Sequence, residues 1–208
     1  MTDDPPVDES KRATLRRFAA LGAASPIAGF VASDAEAADA TGDSEARDAI
    51  RGYVAATPGA HFSKLRDDLK LGTGEAQYHL RQLVEAGAVE SRKDGDYRRF
   101  FPAGRFSPYE QTVLGYLRRE TPRGMLVELL RNPDATGANL AEALDVSRPT
   151  ISTYAGELEE VGLLDREDGY AVEQPETVLV LLVRYADSFG ADAIQLAAEA
   201  DDLVTFDG

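Results

Sequence analysis

A shift of 75 positions lays the chain on itself without a gap. Ile50 then falls on Met125, Val54 on Leu129, Pro58 on Pro133 and Leu65 on Leu140. Leu69 meets Leu144, Leu71 meets Val146, Ala76 meets Ile151, Leu83 meets Leu158, and Gly87 meets Gly162. Solenoid arrays need several copies of shorter units, so a long unit present twice reads as a duplicated domain. Whatever fold the chain adopts, it must satisfy the same order of elements two times.

That order is helix, short helix, tight turn, longer helix, glycine, hairpin. In the first copy Ser44 is the expected N-cap of a helix with Ile50, Tyr53 and Val54 on one face, ended by Pro58-Gly59. A second helix is expected over 61–71, with Leu65 and Leu69 inward, then a turn at Gly72-Thr73-Gly74. The third, over 75–87, carries Ala76, Leu80, Leu83 and Val84 as its core stripe. Alternation over 88–101, broken at Asp94-Gly95-Asp96, predicts a hairpin, and Pro102 closes it.

A connecting helix is expected over 107–119. The second copy follows with helices over 123–131, 137–144 and 148–162 and a shorter hairpin over 163–172 turning at Asp168-Gly169. Two tail helices, about 176–188 and 191–205, include an apolar run over 178–183 that demands burial on most sides, on the second domain or a sister subunit. The fold class is therefore mainly α with small β-hairpin wings (α+β), a tandem winged helix-turn-helix. Its parts are an N-terminal segment 1–43, a first domain 44–106, a connecting helix and second domain 107–174, and a helical tail 175–208, a candidate for dimerisation.

The first ten residues are acidic and proline-containing, which predicts disorder. Arg16, Arg17 and Phe18 then open an apolar run to Ala32, followed by Ala35-Glu36-Ala37, the outline of a twin-arginine export signal. Phe18 follows the arginines directly, where that motif places a spacer, and the run is too short to span a bilayer. The favoured expectation is a peripheral helix over 13–24, broken before Pro26, in a cytoplasmic protein without membrane attachment.

A net charge of -15 looks wrong for a nucleic-acid binder. The basic residues are 18 Arg and 4 Lys, and there is no Cys. Acid excess with scarce Lys and no Cys resembles the composition of haloarchaeal proteins, in which acidity serves solubility in concentrated salt. Without Cys there is no disulfide or thiolate chemistry, and the commonest zinc sites are excluded. His61 and His79 are the two histidines, far apart, and no glycine-rich phosphate loop or carboxylate pair with metal spacing occurs. No catalytic residue, metal site or cofactor is expected. Charge is uneven: residues 61–105 hold nine basic and seven acidic side chains, and residues 121–174 hold four and eleven. If one copy meets phosphate, it is the first.

In a helix-turn-helix the N-terminal half of the third helix enters the major groove. At 100° per residue Tyr78 points away from the apolar stripe, flanked by Glu75, Arg81 and Gln82, with Gln77 and His79 at the borders. Arg81 suits guanine or phosphate, Gln77 and Gln82 suit adenine edges, and Tyr78 suits phosphate or a thymine methyl. Thr73 precedes them at the turn. The hairpin adds Arg92, Lys93, Arg98 and Arg99, four cations on one short β-ribbon of a chain that otherwise avoids them. Such a tip suits a minor groove or a phosphate row.

Three runs carry a family resemblance: Pro58-Gly59-Ala60-His61-Phe62, Gln77-Tyr78-His79-Leu80-Arg81-Gln82-Leu83, and Asp94-Gly95-Asp96-Tyr97-Arg98-Arg99-Phe100-Phe101-Pro102. Over residues 44–173, and most strongly over 57–102, the chain resembles archaeal, haloarchaeal-type transcriptional regulators with two winged helix-turn-helix domains, distantly related to ArsR- and MarR-like repressors. The resemblance implies sequence-specific binding of double-stranded DNA, transcriptional control and a homodimer, with an effector left unidentified.

The second copy departs from this pattern. Gly156 and Glu157 stand where Arg81 and Gln82 stand, and the wing tip Arg166-Glu167-Asp168-Gly169-Tyr170 has one cation. Arg148, Thr150, Ser152 and Thr153 remain as a candidate second DNA contact. The alternative is a winged-helix module for protein interaction or ligand sensing.

Overall fold

The structure is a computed structural model that describes residues 7–23 and 40–203. The chain divides into two compact units, residues 1–106 and 107–208.

Unit 1 is built on helices α1 (Val7–Ala23), α2 (Ala40–Ala56), α3 (Phe62–Asp68) and α4 (Thr73–Glu85) and on strands β1 (Ala60–His61), β2 (Val89–Asp94) and β3 (Tyr97–Pro102). Its core gathers Ala46, Ile50, Tyr53 and Val54 from α2, Leu65 and Leu69 from α3 and its end, and Ala76, Leu80 and Leu83 from α4. Each fully buried Leu or Ile contributes about 1.5–3 kcal/mol, so these residues fix the angle at which α4 meets the rest. Tyr53 also donates its hydroxyl to Asp68 at 2.7 Å, joining α2 to α3.

The stripe of α4 differs from the sequence reading. His79 is buried at 2% exposure, whereas Val84 is 39% exposed. The apolar face is centred on Ala76, Leu80 and Leu83, and its border runs through position 79 rather than 84. His79 therefore belongs to the core rather than to a DNA-facing flank. Thr73 and Gly74 belong to the helix, with Gly72 as its N-cap, because the Glu75 carboxylate accepts the Gly72 N–H at 3.2 Å.

The sheet of unit 1 has three strands in the order β1-β3-β2, all antiparallel. The two-residue strand β1 pairs Ala60 with Phe100 and His61 with Arg99. It makes β3 a central strand, covered on both edges. Arg99, Phe100, Phe101 and Pro102 are buried in succession, Phe100 within the core and Phe101 with its ring edge-on to Phe106 at 6.2 Å. Gly95, at φ 57, opens the two-residue turn between β2 and β3, a conformation that glycine adopts without strain.

The N-terminal segment differs most from expectation. The sequence predicts a peripheral helix over 13–24, with residues 1–10 disordered. The structure has α1 from Val7, packed along α2, with Leu15 at 5% exposure and the Phe18 ring edge-on to Tyr53 at 5.2 Å. Ser44, expected as an N-cap, lies inside α2. The arginines of the export-signal outline and the start of its apolar run, up to Ala23, belong to α1, and its remainder, 24–37, lies outside the described residues. Among the described residues no helix is long and apolar enough to cross a membrane.

Unit 2 repeats the plan with α5 (Pro108–Leu117), α6 (Glu120–Arg131), α7 (Gly137–Ala143), α8 (Arg148–Glu160) and a short hairpin of β4 (Leu164–Asp165) and β5 (Ala171–Val172). The duplication reaches the backbone. Lys70 and Asp145, one repeat apart, both end the turn-side helix with positive φ, 55 and 52. Gly87 and Gly162 both follow the longer helix at φ 68 and 71, the left-handed exit that glycine permits.

The tail forms α9 (Pro175–Arg184), a 3-10 turn (Ala186–Ser188) and α10 (Ala191–Leu203). It packs within unit 2, α9 against α5 and α10 against α6. Arg123 of α6 grips Asp192 of α10 through two bonds at 2.8 and 3.0 Å. Arg131 pairs with Glu199 at 2.8 Å. Arg118 lies 4.3 Å from the Phe189 ring and donates to the Ser188 hydroxyl at 3.0 Å.

Candidate nucleic-acid interface

Helix α4 exposes one continuous polar strip. Thr73, Gln77, Tyr78 and Arg81 are exposed and Gln82 is half-buried. Glu75 is half-buried and held by the Lys11 ammonium at 3.0 Å. The hairpin beside it sets Lys93 directly opposite Arg98, and Arg92 opposite Arg99. Cross-strand partners share a face, so Ser91, Lys93, Arg98 and Phe100 line one side of the ribbon. Like charges placed opposite each other cost a few tenths of a kcal/mol, a cost that a bound anion removes.

These two elements face each other across a groove of about 470 Å³. Phe62, Leu80, Val84 and Phe100 form its apolar floor. Gln77 and Arg81 rise from the helix side, and Ser91 and Arg98 from the hairpin side. Of the candidate residues, the groove brings together Gln77, Arg81 and Arg98. It adds Val84, Phe62, Phe100, Ser91 and the acidic Glu85, which sequence reasoning did not propose as contacts. Tyr97, 52% exposed at the hairpin tip, is a further aromatic that sequence reasoning passed over.

Arg99 does not belong to this set. It is 3% exposed, pairs with Asp94, and donates from Nη1 to the Gly59 carbonyl at 3.0 Å. Its guanidinium ties Asp94, beside the hairpin turn, to the Gly59 carbonyl, so the exposed cations of the wing are Arg92, Lys93 and Arg98.

His61 sits nearby as the N-cap of α3, its Nδ1 accepting the Lys64 N–H at 3.3 Å. Burial, then the charges of Arg99 and Lys64, lower its pKa below the usual 6.5. The unfolded chain therefore takes up this proton more readily than the folded one. The stabilisation is complete above about pH 6.5 and is lost as pH falls through the folded value. His61→Asn keeps a capping oxygen without a titrating ring. Its melting temperature is expected to fall less than that of the wild type between about pH 7 and pH 5; equal losses would contradict this role.

In unit 2 the matching surface is differently occupied. Arg148 and Ser152 are exposed, but Thr150 is half-buried beside the Ser147 hydroxyl at 2.8 Å, and Thr153 donates to the Pro149 carbonyl at 3.0 Å. Glu157, the counterpart of Gln82, is paired with Arg119 at 3.4 Å. Arg166, the cation of the second wing, is paired with Glu159 at 3.2 Å. A cavity of about 640 Å³ beside this wing is edged by Asp134, Asp165, Glu167 and Asp168.

Residues 44–114 match a family model described as an N-terminal HTH domain, and residues 123–171 match the MarR family. A Methanocaldococcus jannaschii protein, named as an uncharacterized HTH-type transcriptional regulator, is 28% identical over 126 residues. That match covers 60% of this chain and 32% of the relative, so the chain spans about a third of that protein's length. No solved structure matches significantly. The chain thus holds two tandem winged helix-turn-helix domains, the first similar to an N-terminal HTH domain and the second to the MarR family.

Proposed function

We propose that the chain is a sequence-specific regulator of transcription that binds double-stranded DNA through its first domain. Helix α4 enters the major groove, with Gln77, Tyr78, Arg81 and Gln82 toward the bases and Thr73 toward the backbone. The wing carries Arg92, Lys93 and Arg98 along the adjacent phosphates or minor groove. The observation that supports this most is the shared groove, which places Arg81 and Arg98 on opposite banks. The matched domain families support the same reading.

In concentrated salt the Debye length falls to about 3 Å at 1 M, and long-range steering is screened. Short, directional arginine bonds outlast that screening better than diffuse charge does. Two or three phosphate contacts predict a log–log salt slope of only about -2 to -3. The full chain should therefore select one duplex from a random-sequence library and bind it with a shallow dependence on KCl. Recovery of no preferred sequence would contradict the proposal.

The second domain suits protein interaction or ligand sensing better than a second DNA contact. Its wing cation and the acid at the Gln82-equivalent position are tied into internal ion pairs, and acidic side chains edge its cavity. A homodimer is supported by Val180 and Val183 on α9 and Ile194 on α10, which leave apolar side chains exposed on unit 2.

A further inference from the structure

Helix α1 lies outside residues 44–114, the stretch that matches a domain family. It is nevertheless fastened to both sides of the helix-turn-helix turn. Leu15 and Phe18 anchor it on α2, and Arg16 approaches Glu45 at 3.5 Å. At its N-terminal end Ser10 accepts a hydrogen bond from Lys70, the residue with left-handed backbone in the turn. One residue on, Lys11 donates to both oxygens of Glu75, at 3.2 and 3.0 Å.

Glu75 is an awkward residue for a helix that enters DNA. It lies in the first turn of α4, where a carboxylate stabilises the helix and caps Gly72. The same charge, unopposed, would meet phosphates as the helix approached a duplex. We propose that α1 is a working part of the DNA-facing surface, with Lys11 as a positioning residue. It holds the Glu75 carboxylate against the N-cap and cancels its charge, so that an acid-started recognition helix can approach phosphate. The inference rests on the DNA-binding reading above. It assigns to α1 a task that the matched domain alone does not perform.

The test uses the full chain and a duplex recovered by the wild type from a random-sequence library. Lys11→Met is expected to weaken binding roughly five- to tenfold at low salt, with the loss shrinking as KCl rises. Lys11→Arg should bind as the wild type does. Glu75→Gln retains an oxygen for the Gly72 N–H while removing the charge. In the Lys11→Met background it should restore affinity to within about twofold, although the ion pair remains absent. A purely structural tether predicts no such rescue. Wild-type affinity in Lys11→Met, or a double variant as weak as Lys11→Met alone, would overturn the proposal. If the wild type recovers no duplex at all, the DNA reading itself fails and this inference falls with it.

Discussion

Arg81→Ala and Arg98→Ala are each expected to weaken binding to the preferred duplex by roughly 1–3 kcal/mol, about ten- to a hundredfold. The two losses should differ in kind. Arg81 stands on the helix side of the groove, among the side chains aimed at base edges. Its removal should relax preference at one base pair. Arg98 stands on the hairpin side, opposite Lys93. Its removal should weaken all sequences alike and lower the salt slope by about one. Both side chains are exposed, so neither change should alter the melting temperature appreciably. Fluorescence anisotropy with the preferred duplex and single-base variants, at two KCl concentrations, separates these outcomes. Unchanged affinity in both variants would remove the groove from the account.

Arg99→Met, one residue along, is expected to act on folding instead. The Arg99 guanidinium is buried between Asp94 and the Gly59 carbonyl. Methionine occupies much of the same volume but supplies no donor, leaving a partly buried carboxylate and a carbonyl without that partner. Breaking a buried, hydrogen-bonded ion pair on one side costs roughly 2–4 kcal/mol. Unit 1 should therefore melt earlier in Arg99→Met, followed by thermal unfolding, whereas Arg98→Ala stays near the wild type. An Arg99→Met protein of full stability that had lost DNA binding would show the assignment of the two arginines to be reversed.

The contrast between these neighbours shows how far the sequence was legible. Alternation in a hairpin says which side chains share a face, and it groups Lys93 with Arg98 and Arg92 with Arg99. It does not say which face is covered. That depends on partners such as the Gly59 carbonyl, 40 positions from Arg99 and just before β1, which at two residues is too short to carry any periodicity. The repeat was legible because buried apolar positions and left-handed glycine exits are both local requirements, met identically by Gly87 and Gly162. Val84 was misread because a 100° wheel leaves the borders of an apolar stripe to the neighbours that pack on it. Helix α1 was hardest to place. Its anchors on the core are few, Leu15 and Phe18, among charged residues that by themselves describe a solvated helix. Its connection to Glu75 spans 64 positions and leaves no mark on local pattern.

Helix α4 and the wing should meet one duplex together. Hydroxyl-radical footprinting of the preferred duplex tests this most directly. The wild type should protect backbone on both sides of a major-groove site and a flanking stretch beside the adjacent minor groove. Arg98→Ala should lose the flanking stretch while keeping the central one. Protection confined to a single groove, or a flank unchanged in Arg98→Ala, would contradict a joint footprint.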